Sequence, residues 1–169
     1  MGLSFDIDPH WDIKDYKILD YKLDKHKDNK DNQQYINAGH LPQSLTLYNY
    51  FEPNPMPDSI DYIKSHFSNF TNISVAVNYF KPGQYMPFHY DRFTAYKNYY
   101  NIKQNCDVHR YMIMLEAHQQ GQMLQINNTI HNNWIAGSIF GWRNNDKHTF
   151  FNLGVDDRYA VQLTATPKN

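Results

Sequence analysis

From residue 73 onward the chain is a succession of short apolar runs, each too short for a helix of ordinary length and each closed by Gly, Asn or Asp. Ile73–Phe80 reads ISVAVNYF; Arg110–Glu116 (RYMIMLE), Met123–Ile126, Ser138–Trp142, Lys147–Phe151 and Arg158–Ala165 (RYAVQLTA) follow. β-branched and aromatic residues at this density, broken by turn formers, predict strands. Many short strands in series predict a β-sandwich or barrel. With 169 residues, 41% of them hydrophobic, the chain can enclose a core as one domain over 1–169. No internal repeat is visible. The β core is expected over 73–166, with 1–72 supplying N-terminal strands, a loop and a bracing helix.

The N-terminal part is less regular. Residues 11–23 mix Tyr, Ile and Leu with Lys and Asp, a weak indication of a strand or short helix. Residues 24–34 (DKHKDNKDNQQ) contain no apolar side chain and read as a solvated loop. After the proline-rich stop EPNPMP, Asp58 or Ser59 is a suitable N-cap for a helix over 58–70. Ile60, Ile63, Phe67 and Phe70 then form one apolar stripe that must face a core.

Bulk properties remove several function classes. A net charge of −1 and a pI near 6.7 give no electrostatic basis for nucleic acid or an anionic membrane. Cys106 is the single cysteine, so neither an internal disulfide nor a multi-cysteine zinc site can form. No apolar stretch has the length of a membrane span, and the polar N-terminus does not read as a signal peptide. A cytoplasmic location is expected.

The feature with chemical content is NYFKPGQYMPFHYDRF, residues 78–93, where His89 and Asp91 are one residue apart. On a strand, such residues point to the same side. An imidazole nitrogen and a carboxylate oxygen there can share a divalent metal. The motif alone is weak. The 17 acidic residues less Glu52 and Glu116 leave 15 Asp, and with nine His chance gives about 9 × 15/169, roughly 0.8, His-x-Asp triplets. The chain has three. His10-Trp11-Asp12 lies near the terminus without a strand pattern, and His26-Lys27-Asp28 falls in the apolar-free loop, a poor frame for a preorganised site. The third, at residues 89–91, follows a strand.

A catalytic metal usually needs a third protein ligand. His109, His118, His131 and His148 follow Asp91, and of these His148 alone has an arginine, Arg158, ten residues downstream. If 147–151 and 158–165 form a hairpin, His148 lies opposite about Val161 and Arg158 is roughly 10 Å away, at about 3.3 Å per residue. A guanidinium there presents a fork suited to a carboxylate, about one small-diacid length from the metal.

His89-x-Asp91, distal His148 and Arg158 together resemble the Fe(II)/2-oxoglutarate-dependent dioxygenases, over roughly residues 73–166. FKPGQYMPFHYD resembles the approach to the metal pair in prolyl-hydroxylase-like and aspartyl-hydroxylase-like members, and WIAGSIFGWRNNDKHTFFNLGVDDRYAVQLTA resembles that family's closing strands. The resemblance implies a mainly β fold, a double-stranded β-helix (a cupin-like jelly roll). It implies a 2-His-1-carboxylate iron site whose free positions take 2-oxoglutarate and O₂. It further implies hydroxylation of a peptide residue (prolyl or aspartyl/asparaginyl) or a small metabolite, with succinate and CO₂ as co-products. Arg158 would hold the far carboxylate of 2-oxoglutarate. Many members carry Ser two residues after this arginine; Ala160 stands there, so Tyr79 is the expected partner hydroxyl, although Phe80 aligns better with the tyrosine of collagen-type prolyl hydroxylases.

Arg110 opens an apolar strand and should meet a carboxylate, either bound cosubstrate or a protein partner such as Asp91 or Asp107. Trp142 and Asn152 flank the His148 strand as candidate substrate contacts. His109, His118, His131 and Cys106 are assigned to surface or packing. The loop 94–106, with three tyrosines, could cover a barrel mouth. Two other functions fit the same residues: a cupin-like protein that binds a metal and a small molecule without oxygenase activity, and a hydrolase using zinc.

Overall fold

The structure, a computed structural model, describes residues 3–23 and 30–168. In chain order its elements are β1 (Leu3–Asp6), α1 (Ile13–Lys17), β2 (Lys22–Leu23), α2 (Lys30–Asn37), β3 (Tyr48–Phe51), α3 (Ser59–Ser65), β4 (Phe70–Phe80) and β5 (Gln84–His89). There follow α4 (Thr94–Tyr99), β6 (His109–Met114), β7 (Gln122–Ile126), β8 (Thr129–His131), β9 (Ser138–Arg143), β10 (His148–Asn152) and β11 (Arg158–Pro167). The strands form two antiparallel sheets. One has the order β1-β9-β6-β11-β4-β3-β2, the other β5-β10-β7-β8. This is a mainly β jelly roll, as the run of short strands predicts.

The central strands of the larger sheet are buried on both faces, and alternation along them assigns the residues. Outward, Val75 and Val77 of β4, Tyr111 and Ile113 of β6, and Val161 and Leu163 of β11 pack with Ile60, Ile63 and Phe67. Each buried side chain of this kind contributes roughly 1.5–3 kcal/mol relative to exposure. Inward, Phe80, Met112, Met114, Phe140, Trp142 and Ala160 meet Leu124 and Phe150 of the smaller sheet. Among the described residues, no helix is long and apolar enough to cross a membrane.

Several expected elements change. The helix predicted over 58–70 stops at Ser65, because Phe70 already opens β4; Phe67 still delivers its ring to the outer core. The apolar-free 24–34 segment gives way to α2 from Lys30, and the 94–106 loop contains α4. Residues 11–23 hold α1 and then β2.

The 147–151/158–165 hairpin does not form. β10 pairs with β5 and β7, whereas β11 pairs with β4 and β6 in the other sheet. The five residues between them cross from one sheet to the other. That crossing is tight: Gly121 has φ +89°, and a Cβ on it would lie 2.5 Å from the Gly154 nitrogen.

One irregularity bears on function. Along β5 and β10, His148 faces His89 and Phe150 faces Met86, so three steps on β5 match two on β10. The extra residue makes a β-bulge at Pro87–Phe88 opposite Thr149, whose hydroxyl donates to the Met86 carbonyl at 2.5 Å. Proline cannot donate to a ladder and is tolerated at such a bulge. Strict alternation from inward-facing Met86 would turn residue 88 inward and His89 outward; the bulge reverses this.

Candidate metal centre

His89 ends β5, Asp91 lies two residues beyond it in the loop, and His148 begins β10 as the cross-strand partner of His89. One potential ligand atom from each falls within 4.8 Å of the others. The two imidazole rings have centroids 4.3 Å apart. Nδ1 of His89 is 2.6 Å from the Pro87 carbonyl oxygen, and Nδ1 of His148 is 3.2 Å from that of Asp146. A carbonyl only accepts, so each Nδ1 carries the proton and each Nε2 is left with a lone pair. These Nε2 atoms lie 3.8 and 3.5 Å from the Asp91 oxygens. Three acceptors therefore converge with no proton between them, a donor set that suits a divalent cation.

Asp91 is held from its other side. Arg110 Nη1 donates to Oδ1 at 2.8 Å and the Trp142 indole N–H donates to Oδ2 at 2.9 Å. Burial by itself would raise the Asp91 pKa, but the Arg110 charge, followed by His148, His89 and the Trp142 hydrogen bond, holds it below the ordinary carboxylate range. His148 is 5% exposed, and that burial pushes its pKa down to about 4 against the pull of Asp91. A neutral imidazole beside an ionised carboxylate is the protonation state a metal requires.

The three residues line a cavity of about 280 Å³ between the sheets. Its walls include Phe80, Met86, Met112, Leu124, Trp142 and Phe150, with carboxamides from Asn49, Asn78 and Gln162. Asn78 donates to Asn49 at 2.6 Å across the β3–β4 pairing. These carboxamides were legible in principle, since Asn78 alternates with Phe80 on β4 and Gln162 with Ala160 on β11, but only once the inward parity of each strand is known.

Arg158 lies against the wall of this cavity. Its guanidinium carbon sits 3.4 Å from the Phe150 ring centroid and 4.8 Å from that of Trp134, and Nη2 is 3.7 Å from Met112 Sδ and 2.6 Å from Met114 Sδ. The residue is 3% exposed, Nη1 is buried without a hydrogen-bond partner, and no carboxylate among the described residues pairs with it. Burial pulls its pKa well below the ordinary value. The arginine reaches this position from across the barrel, not along a hairpin.

The remaining expected residues divide. Arg110 and Trp142 line the cavity, with Asp91 as their shared partner, so the simple structural pairing of Arg110 is the one realised. Tyr79 does not line it. It faces the outer layer, stacked on Tyr159 at 4.8 Å, while Phe80 takes the inward place. Asn152 is fully buried and stands off the cavity; its Nδ2 donates to the Phe80 and Asp156 carbonyls, and its Oδ1 has no partner among the described residues. Of the other triplets, His10 stacks on Tyr62 at 4.6 Å away from this centre, and His26-Lys27-Asp28 lies outside the described residues.

No family model and no curated protein matches the sequence. Solved structures do resemble the fold. A Pseudomonas putida prolyl-4-hydroxylase aligns at TM-score 0.55 and 12% identity, over 93% of this chain and 97% of the other. A viral collagen prolyl hydroxylase from Paramecium bursaria Chlorella virus-1, solved with 2OG, aligns at TM-score 0.55 and 15% identity, over 89% and 98%. A 2OG-Fe(II) oxygenase family oxidoreductase from Burkholderia pseudomallei aligns at 0.51 and 10%, over 73% and 68%. The cupin domain of Schizosaccharomyces pombe Cnp3 is spanned over 64% of its length at TM-score 0.43, too slight a likeness to carry an argument. At these identities the likeness is one of fold: the chain shares the jelly-roll architecture of these oxygenases.

Proposed function

We propose that the chain is an Fe(II)- and 2-oxoglutarate-dependent oxygenase that consumes O₂, releases succinate and CO₂, and hydroxylates a peptide residue (prolyl or aspartyl/asparaginyl) or a small metabolite. The observation that carries this reading is a buried guanidinium, its Nη1 without a hydrogen-bond partner among the described residues, packed on Phe150 and Met112, which line the cavity where three potential metal ligands converge. A lone buried cation is costly and calls for an anion. The Arg158 guanidinium lies over Phe150, two residues along β10 from His148, or roughly 7 Å at 3.3 Å per residue. That separation suits a diacid with one end at the metal and the other at the arginine. The metal alone would fit a zinc hydrolase, and the arginine alone an anion-binding module. Their joint geometry favours the oxodiacid.

Each residue then has a task. His89, Asp91 and His148 would hold iron, which with 2-oxoglutarate supplies the oxidising chemistry. Arg158 would bind the distal carboxylate through a charge-assisted fork. Phe80, Met112 and Phe150 keep that carboxylate dry, so the pairing is worth more than at a surface. Trp142 holds Asp91 in place.

Anaerobic titration tests the assignment. Fe(II) plus 2-oxoglutarate should give a weak visible charge-transfer band, and O₂ should then yield succinate, blocked by zinc, which has no accessible redox change. Bound iron with neither band nor succinate would assign the chain to the cupin-like binding alternative.

A further inference from the structure

The charge at this centre that metal binding does not call for is Arg110. A guanidinium 2.8 Å from a metal-ligating carboxylate opposes the cation that the carboxylate is meant to attract. Its position is not accidental. Nε donates to Thr164 at 3.2 Å, the guanidinium lies 4.8 Å from the Phe93 ring centroid, and the side chain lines the cavity beside His89 and His148. Phe93 adopts φ +53°, a strained left-handed conformation at the head of α4. Two elements of the larger sheet and one loop thus fix this cation against Asp91.

We infer that Arg110 is a positioning residue that sets the charge of the centre, making it bind its divalent metal more weakly and a dianionic cosubstrate more tightly. This inference rests on the oxygenase reading. The count is simple. A divalent metal with Asp91 leaves one positive charge, which balances the 2-oxoglutarate carboxylate at the metal, as Arg158 would balance the distal one; Arg110 adds a further positive charge, which favours the anion and opposes the cation. Trp142 already supplies a neutral hydrogen bond to the other Asp91 oxygen, so orientation of the carboxylate does not require a second, charged donor. What the guanidinium adds is charge. A Coulomb interaction over about 5 Å in a partly buried site corresponds to an effect on the order of tenfold or more.

The prediction has opposite signs in its two halves, which a merely structural role does not produce. Arg110→Gln keeps an N–H donor and removes the charge. By calorimetry without oxygen, it should bind Mn(II), used as a redox-silent probe, about tenfold more tightly than wild type. At saturating Mn(II), it should bind 2-oxoglutarate about tenfold more weakly. Arg110→Lys retains the charge and should stay within about threefold of wild type in both. Weaker binding of both metal and cosubstrate in Arg110→Gln would mean that Arg110 only holds Asp91 in place, and would overturn the inference; so would no change in either. If Arg110→Gln fails to fold, the lysine variant decides: preserved affinities support the charge role, and loss of both overturns it. If wild type binds Mn(II) but not 2-oxoglutarate, the oxygenase reading fails, and the metal half alone judges Arg110: tighter Mn(II) in Arg110→Gln supports the inference, while unchanged or weaker Mn(II) overturns it.

Discussion

The two faces of β4, β6 and β11 are made from alternate residues of the same strands, yet they differ in kind. The outer face is largely apolar, with Val75, Val77, Tyr111, Ile113, Val161 and Leu163 in one continuous layer. The inner face alternates the same backbone with Asn78, Arg110, Arg158 and Gln162, set among Phe80, Met112 and Met114. Folding a chain requires only the first pattern. A buried guanidinium with no carboxylate partner among the described residues lowers stability and has no packing rationale, and the proposed ligand would account for its place on the inner face.

Substitutions on the two faces should therefore separate binding from stability. The largest effect is expected at the metal. His148→Ala removes one of three ligands and should weaken Fe(II) binding on the order of 1,000-fold, read by anaerobic titration, whereas His10→Ala should leave it unchanged. Retained iron affinity in His148→Ala would remove the inner face from the argument. Next comes Arg158→Met. Affinity for 2-oxoglutarate should fall by about 2–5 kcal/mol, or roughly 30- to several-thousand-fold. The ligand-free protein should at the same time become more stable by about 1–4 kcal/mol, because a buried uncompensated charge is replaced by a packed apolar side chain. A lower melting temperature for ligand-free Arg158→Met would show that the guanidinium is part of the core's own support. On the outer face, Leu163→Ala should do the reverse: about 2–5 kcal/mol lost in denaturant unfolding, with cosubstrate affinity in the folded protein preserved. The smallest effect is expected for Tyr79→Phe. Its ring stays stacked on Tyr159, and 2-oxoglutarate affinity should remain within about twofold. A larger drop would return Tyr79 to the cosubstrate site.

Much of this division was legible in the sequence, and the parts that were not have a common cause. The six runs from Ile73 to Ala165 become β4, β6, β7, β9, β10 and β11 within a few residues, because β-branched and aromatic content is a local property. His89, Asp91 and His148 could be singled out by type and spacing. Pairing was not legible. His148 and Arg158 read as a hairpin because they are close in the chain, yet they belong to opposite sheets and approach through the barrel interior. Tyr79 was one residue out of phase for the same reason: nothing local distinguishes the inward parity of YF from its alternative. The short strands β1, β2, β3 and β8 carry too few residues to register as periodic, and they lie at or next to the edges of the two sheets.

The bulge at Pro87–Phe88 has a consequence for how such a site can be lost. Taking Pro87 and Phe88 into a regular ladder, with no residue removed, would leave the His-Tyr-Asp triplet intact and in sequence, and a motif search would still find it. Parity along β5 would nonetheless be restored, turning the imidazole from the cavity to the opposite side of the sheet. The chain would keep its outer core, its turns and every ligand residue, and still hold no metal. Presence of the motif and presence of the centre are thus separate properties here, joined by a single unpaired residue.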